Sequence, residues 1–259
     1  APIIMGIINL TPDSFYDGGV FLNDEPILKQ TIDEFNQLGV QMIDIGAEST
    51  RPGSQPLSAD DEIARLSPYL STIIEASNAI VCVDTYKHQT AQFALDCGVD
   101  YINDISGGEN TQLLELVATY NAGLIIMHKK GSPQTMQTNP TYKNVTDEVY
   151  HYLQTQSALA KSYGIQSVII DPGIGFGKTL DHNIQLLKNI HAFKSIECPI
   201  LIGTSNKSFI NEIFKSNVNE RLPGSIASVL ATYQKGAHIF RVHNAKETIQ
   251  ALNVFKEIQ

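Results

Sequence analysis

Eight short apolar runs recur along the chain: Ile3–Asn9, Met42–Ala47, Ile80–Thr85, Tyr101–Ile105, Gly123–His128, Val168–Pro172, Pro199–Ser205 and His238–His243. Each is bounded by turn residues, and such runs read as strands buried on both faces. Amphipathic stretches lie between them. The periodicity predicts helices over about Glu25–Leu38, from a Ser58 cap onward, and over about His88–Cys97, Thr111–Tyr120 and Thr146–Tyr163. Further on it predicts a short helix ending near Phe214, one over about Gly224–Gln234, and a final helix that closes the chain. Gly39 and Gly98 stand where the first and third should stop. Eight strands alternating with helices predict a (β/α)8 barrel. The length of 259 residues is close to the ~250 typical of one such barrel. No Ser-, Gly- or Pro-rich tether divides the chain, so residues 1–259 are expected to form a single domain.

In a barrel of this kind the strand C-termini converge on one face, and chemistry sits there. That rule turns the strand ends into candidates: Asn9, Asp44, Asp84, Asn103, His128, Asp171, Ser205 with Lys207, and Arg241 with His243. The connections after the first two strands, Thr11–Gly19 and Glu48–Ser54, carry the Pro and Gly punctuation of loops. Lys129–Asn144 is longer than most connections of its type and is expected to be a mobile cover for the site.

Composition narrows the function. A formal net charge of −9 argues against nonspecific nucleic-acid binding, which relies on Lys and Arg to neutralise phosphates. No apolar run approaches the ~18 residues of a membrane helix. Cys82, Cys97 and Cys198 lack the paired spacing of a zinc site or a disulfide framework, which suits a reducing, cytoplasmic setting.

The run Asp171-Pro-Gly-Ile-Gly-Phe-Gly177 has neither the spacing nor the position of a dinucleotide fingerprint. It reads better as a strand-end carboxylate followed by backbone that approaches a ligand closely. Asp84 and Asp171 suit the paired donors of a heterocycle edge; a helix cap or a core acceptor is the alternative for either alone. Asn103 and Lys207 at neighbouring strand ends favour a polar ring ligand. Arg241 and His243 are two apart on a strand and share a face, where they would form a basic pair for an oxyanion. The Asn9 carboxamide oxygen is a plausible ligand for Mg2+, an ion that keeps most of its waters and binds phosphate oxygens. Thr50, Arg51 and Pro52, with Phe15, lie on loops placed to close over a second substrate, although Phe15 alone reads as ordinary packing. His128 reads as a satisfied structural histidine.

Taken together, these segments resemble the dihydropteroate synthase family of the folate pathway. The resemblance rests on Met5–Phe15 with Asp17-Gly-Gly19, Asp44–Gly53, Val83-Asp-Thr85, Tyr101–Ile105, Met127-His128, Asp171–Lys178, Lys207-Ser-Phe209 and Ile239–His243, in the family's order over essentially the whole chain. It implies a barrel that condenses (7,8-dihydropterin-6-yl)methyl diphosphate with 4-aminobenzoate, releasing diphosphate. It also implies that Asp84, Asn103, Asp171 and Lys207 hold the pterin. Asn9, Arg241 and His243 would serve the diphosphate, with Mg2+ near Asn9. Thr50, Arg51 and Pro52 would build the aminobenzoate side, lined by Phe176 and Ser208. Asp84, Lys207, Arg241 and His243 would carry the catalysis.

One position departs from the family. Where its strand-seven motif usually reads Ser-Arg-Lys-Ser, this chain has Ser205-Asn206-Lys207-Ser208, so a fixed positive charge is missing. Sulfonamide inhibition and a homodimer are further expectations. The chain opens at Ala1 directly before its first strand, which raises the expectation of a piece of a longer polypeptide and a fused or associated pterin pyrophosphokinase. Two other readings stay open here: a pterin-dependent methyltransferase domain, and a pterin-binding protein without activity.

Overall fold

A computed structural model describes residues 1–11, 25–48, 54–132 and 134–259. Among these residues eight strands form one sheet: β1 Ile3–Asn9, β2 Met42–Gly46, β3 Ile80–Asp84, β4 Tyr101–Asp104, β5 Gly123–Met127, β6 Val168–Asp171, β7 Leu201–Ile202 and β8 Ile239–Val242. Their order is β6-β5-β4-β3-β2-β1-β8-β7, and every pairing is parallel. A parallel bridge between Ile170 and Ile200 joins the two ends, which closes the sheet into the barrel expected from the sequence.

Among the described residues ten α-helices surround it: α1 Glu25–Leu38, α2 Ala59–Leu66, α3 Leu70–Ala76, α4 His88–Asp96, α5 Thr111–Thr119, α6 Val145–Ser162, α7 Leu180–Lys188, α8 Ser208–Ile213, α9 Leu222–Gln234 and α10 Ala245–Glu257. The helix opened by Ser58 starts as expected, its hydroxyl accepting the Asp61 N–H at 3.1 Å. It is then broken into α2 and α3 around Pro68, which has no N–H to continue the ladder. α1 shows how the helical layer packs. Leu28, Ile32 and Phe35 recur on one face and are buried. A Cβ on Gly6 of β1 would come within 2.6 Å of the Phe35 ring, so the glycine sets how closely the helix lies on the sheet.

β7 is much shorter than the run Pro199–Ser205. Pro199 has no donor for the ladder, and beyond Ile202 the chain leaves the sheet, with Ser205 bonding His243 instead.

The core has two compartments. Most buried apolar residues lie between strands and helices. A separate cluster of Met5, Met42, Cys82, Ile125, Ile169, Leu201 and Ile239 fills the barrel interior. Strand side chains alternate between faces, so residues two apart share one. Two positions beyond Met42, Cys82, Ile169 and Ile239 stand Asp44, Asp84, Asp171 and Arg241; two beyond Tyr101, packed on the same plug, stands Asn103. The inward face thus changes from apolar to polar in one step toward the strand C-termini, and the plug becomes the floor of a charged cup.

Candidate active site

The charged cup is built on Arg241. Its Nε donates to Asp44 Oδ2 at 2.5 Å, and its Nη2 lies 3.4 Å from Asp84 Oδ2. Asn103 Nδ2 donates to the same Asp44 oxygen at 3.2 Å. Burial alone would lower the guanidinium pKa, but the carboxylates of Asp44 and Asp84 more than offset it, so Arg241 is held above its ordinary value. The other carboxyl oxygens, Asp44 Oδ1 and Asp84 Oδ1, are buried and accept no hydrogen bond from the described residues. Buried acceptors are nearly always paired in a working site, so both suit donors brought by a ligand.

Burial pushes the Asp84 carboxyl up to about 8; Asp44 adds to the shift, Arg241 opposes it, and Glu62 and Glu48 raise it further. These last two belong to a buried ion cluster behind β3. Lys87 pairs with Glu48 and, at 3.1 Å, with Glu62. Glu62 also accepts from Thr85 at 3.1 Å and Thr90 at 2.8 Å.

Across the mouth, Asp171 Oδ1 accepts the Gly173 N–H at 2.7 Å, and burial raises this carboxyl while Lys207 works against the rise. Lys207 Nζ donates to the Ile174 carbonyl and lies 4.7 Å from the Phe176 ring centre. Burial lowers Lys207 to about 8, Asp171 opposing and Arg241 assisting. A Cβ on Gly203 would be 3.9 Å from both Arg241 Cβ and Lys207 Nζ, so both side chains pass this glycine at the mouth. His243 Nδ1 is 2.9 Å from the Ser205 hydroxyl. A Cβ on Gly46 would be 3.7 Å from Asn9 Oδ1 and 4.0 Å from Asp84 Oδ2, so Asn9 shares the mouth with Asp84.

The structure therefore brings Asn9, Asp84, Asn103, Asp171, Lys207, Arg241 and His243 to one end of the barrel. Phe176 is half-buried beside Lys207, and Ser208 is exposed at the first position of α8. Thr50, Arg51, Pro52 and Phe15 lie outside the described residues. Asp44 was visible at a strand end but carried no assigned role; its two-residue offset from the apolar Met42 was the signal. The connection expected to cover the site packs on the β6–α7 turn: Tyr142 donates to the Gly177 carbonyl at 2.8 Å and Gln137 to that of Gly175 at 2.5 Å. Asn206 turns away from the charge pattern expected of its position. It is buried with φ of 58°, and its side-chain oxygen accepts from Ser225 of α9 at 3.3 Å.

The chain matches known proteins over nearly its full length. The model of the pterin-binding enzyme family matches residues 5–243. A protein of Haemophilus influenzae named dihydropteroate synthase is 39% identical over 257 residues, covering 98% of this chain and 93% of its own. The chain belongs to the dihydropteroate synthase family. Its relatives are transferases of pterin chemistry, and the solved folds agree. The Yersinia pestis dihydropteroate synthase in a sulfonamide drug complex superposes with a TM-score of 0.93 at 34% identity, covering 99% of this chain and 93% of the other. The Thermus thermophilus enzyme in complex with 4-aminobenzoate gives 0.90 at 32% identity, covering 100% and 95%. No described helix of this dihydropteroate synthase family member is long and apolar enough to cross a membrane.

Proposed function

We propose that this barrel joins (7,8-dihydropterin-6-yl)methyl diphosphate to 4-aminobenzoate, giving 7,8-dihydropteroate and diphosphate. The observation that carries the reading is the convergence of Asp84, Asn103, Asp171 and Lys207 with Arg241 and His243 at one mouth. Asp84 and Asp171 accept from the N–H edge of the pterin, Asn103 supplies an amide, and Lys207 exchanges the Ile174 carbonyl for the ring.

An arylamine is a weak nucleophile, so departure of diphosphate comes first. The methylene C–O bond breaks, its electron pair leaves with the diphosphate, and the pterin-methyl cation is delocalised into the ring. Ionised Asp84, backed by Asp44, stabilises that positive charge. Arg241 and His243 stabilise the leaving group. The amine lone pair then forms the C–N bond, and the acidified ammonium loses its proton without a committed base. Family resemblance assigns the aminobenzoate side to Thr50, Arg51 and Pro52, with Phe176 and Ser208. Asn9 is a neutral oxygen at the mouth, the kind of donor Mg2+ accepts when it arrives with phosphate oxygens and water. Such an ion would offset the charge of the diphosphate. Family resemblance implies a homodimer, and the free Cys82, Cys97 and Cys198 suit a cytoplasmic setting.

The pH profile follows from the two shifted groups. Asp84 is raised to about 8, so its negative charge is lost as pH falls through that value. Lys207 is lowered to about 8, so its positive charge is lost as pH rises through it. kcat/KM for the pterin diphosphate reports the free enzyme and is expected to form a narrow bell centred near 8. A flat profile across neutral pH would remove the ionised Asp84 from the mechanism. The aminobenzoate side is tested by sulfamethoxazole: it should raise the apparent KM for 4-aminobenzoate and leave kcat unchanged. Failure to compete would contradict the reading of that subsite.

A further inference from the structure

We propose that Lys178 is a positioning residue, the internal clamp that folds the turn carrying Asp171 and Phe176 and so fixes the wall of the substrate site without touching substrate. The proposal rests on the reading that Asp171 and Phe176 belong to that site.

Lys178 is 2% exposed. Its Nζ lies 2.8 Å from the Gly173 carbonyl, 3.0 Å from that of Phe176, 2.9 Å from His128 Nδ1 and 3.3 Å from the His128 carbonyl. An ammonium has three N–H donors and no acceptor, and the three shortest contacts use them all. None of these partners is a carboxylate. A lysine buried among neutral acceptors is costly, and a surface lysine would serve solubility equally well. What the buried one does is tie two segments together, the exit of β5 at His128 and the turn after β6.

The surroundings are made for that contact. Gly173 has φ of 69°, and a Cβ there would stand 1.8 Å from the His128 carbonyl oxygen; at Gly177, with φ of 65°, it would stand 2.2 Å from that of Lys130. The turn therefore lies directly on the β5 exit, with no room for a side chain at either point. His128 Nδ1 must accept from an ammonium, which places its proton on Nε2. Burial and the neighbouring Lys178 push its pKa down to about 2, so the ring stays neutral. Tyr152 holds that ring edge-on at 5.0 Å and Tyr142 lies at 6.2 Å. Burial lowers Lys178 well below the usual lysine range, Asp171 opposing; a neutral amine keeps two donors, so the clamp loosens without opening.

One residue, Gly173, links the clamp to the chemistry. The Gly173 N–H is bound by Asp171 Oδ1 and its carbonyl by Lys178. Moving the glycine moves the carboxylate. At the same turn, Lys207 binds the Ile174 carbonyl and lies over the Phe176 ring. The turn is thus held by two lysines with different duties. Lys207 is shared with the ligand, and Lys178 is committed to the protein.

The test compares parent, Lys178→Met and Lys178→Ala by dihydropterin binding and by steady-state kinetics, each in sodium or ammonium chloride at equal ionic strength. Both variants are expected to weaken dihydropterin binding about tenfold or more, since small displacements of positioning groups are that costly. The pterin-diphosphate KM should rise with it. In Lys178→Ala, ammonium but not sodium should recover affinity by occupying the emptied clamp. A folded Lys178 variant with parental affinity overturns the proposal. Should neither variant fold, His128→Asn, which keeps an acceptor, is expected to bind like the parent and His128→Leu to bind weakly; parental affinity in His128→Leu overturns it equally. Asp171→Asn with Lys178 intact separates the two readings. Loss of dihydropterin affinity there supports the site, and unchanged affinity removes the site on which the proposal depends.

Discussion

Asp84→Asn is expected to lower kcat by about 10²–10³-fold, the size associated with removing one preorganised group from a developing charge. The replacement keeps the shape and one oxygen acceptor but removes the negative charge. That charge sits in an unusually unfavourable place for itself, beside Asp44 and within the field of Glu48 and Glu62. Burial does most to push Asp84 up to about 8, and the carboxylates that add to the rise make the mouth attractive to a cation. The cost of ionising Asp84 is therefore part of the arrangement that favours a pterin-methyl cation, and an amide cannot reproduce it. Stability should move the other way. An acid whose folded pKa lies above its unfolded value favours the protonated folded state, so its contribution declines as pH rises through about 8. The melting temperature of Asp84→Asn should equal or exceed that of the parent, increasingly so toward that pH. Near-parental kcat in a folded Asp84→Asn protein would eliminate the electrostatic role.

Arg241→Met should show the opposite combination, a loss of both turnover and stability. Asp44 has a fully buried side chain and its ion partner is Arg241. Removing one member of a buried pair leaves an uncompensated charge and costs about 3–5 kcal/mol. At roughly 2–4 °C per kcal/mol for a domain of this size, the melting temperature falls by about 6–20 °C. The double variant Asp44→Asn/Arg241→Met separates the two effects. It removes the orphaned charge and keeps an oxygen for Asn103, so melting should recover while turnover stays low. Recovery of turnover in the double variant would show that Arg241 matters only as a counter-ion of Asp44.

These predictions show what the sequence revealed and what it withheld. The strand ends were legible because the barrel fold converts chain position into spatial convergence: Asn9, Asp84, Asn103, Asp171 and Arg241 could be nominated from eight apolar runs. The offset of two between plug and cup, as in Cys82 and Asp84, was equally present in the text of the chain. The pairing of Arg241 with Asp44 was not, because 197 residues separate the partners and the contact exists only once the barrel closes. The same holds for Lys178, which reads as an ordinary polar end to a glycine-rich turn until His128, 50 residues earlier, packs against it. β7 is shorter than the run Pro199–Ser205 because Pro199 has no donor for the ladder and the chain leaves the sheet after Ile202. Asn206 looked like a lost charge beside Lys207; the fold instead commits its side chain to Ser225.

The most direct measurement is diphosphate release from the purified protein supplied with the pterin diphosphate and Mg2+, with and without 4-aminobenzoate. The account predicts release coupled to 4-aminobenzoate, with 7,8-dihydropteroate formed in equal amount. Pterin binding without diphosphate release or dihydropteroate formation would contradict it.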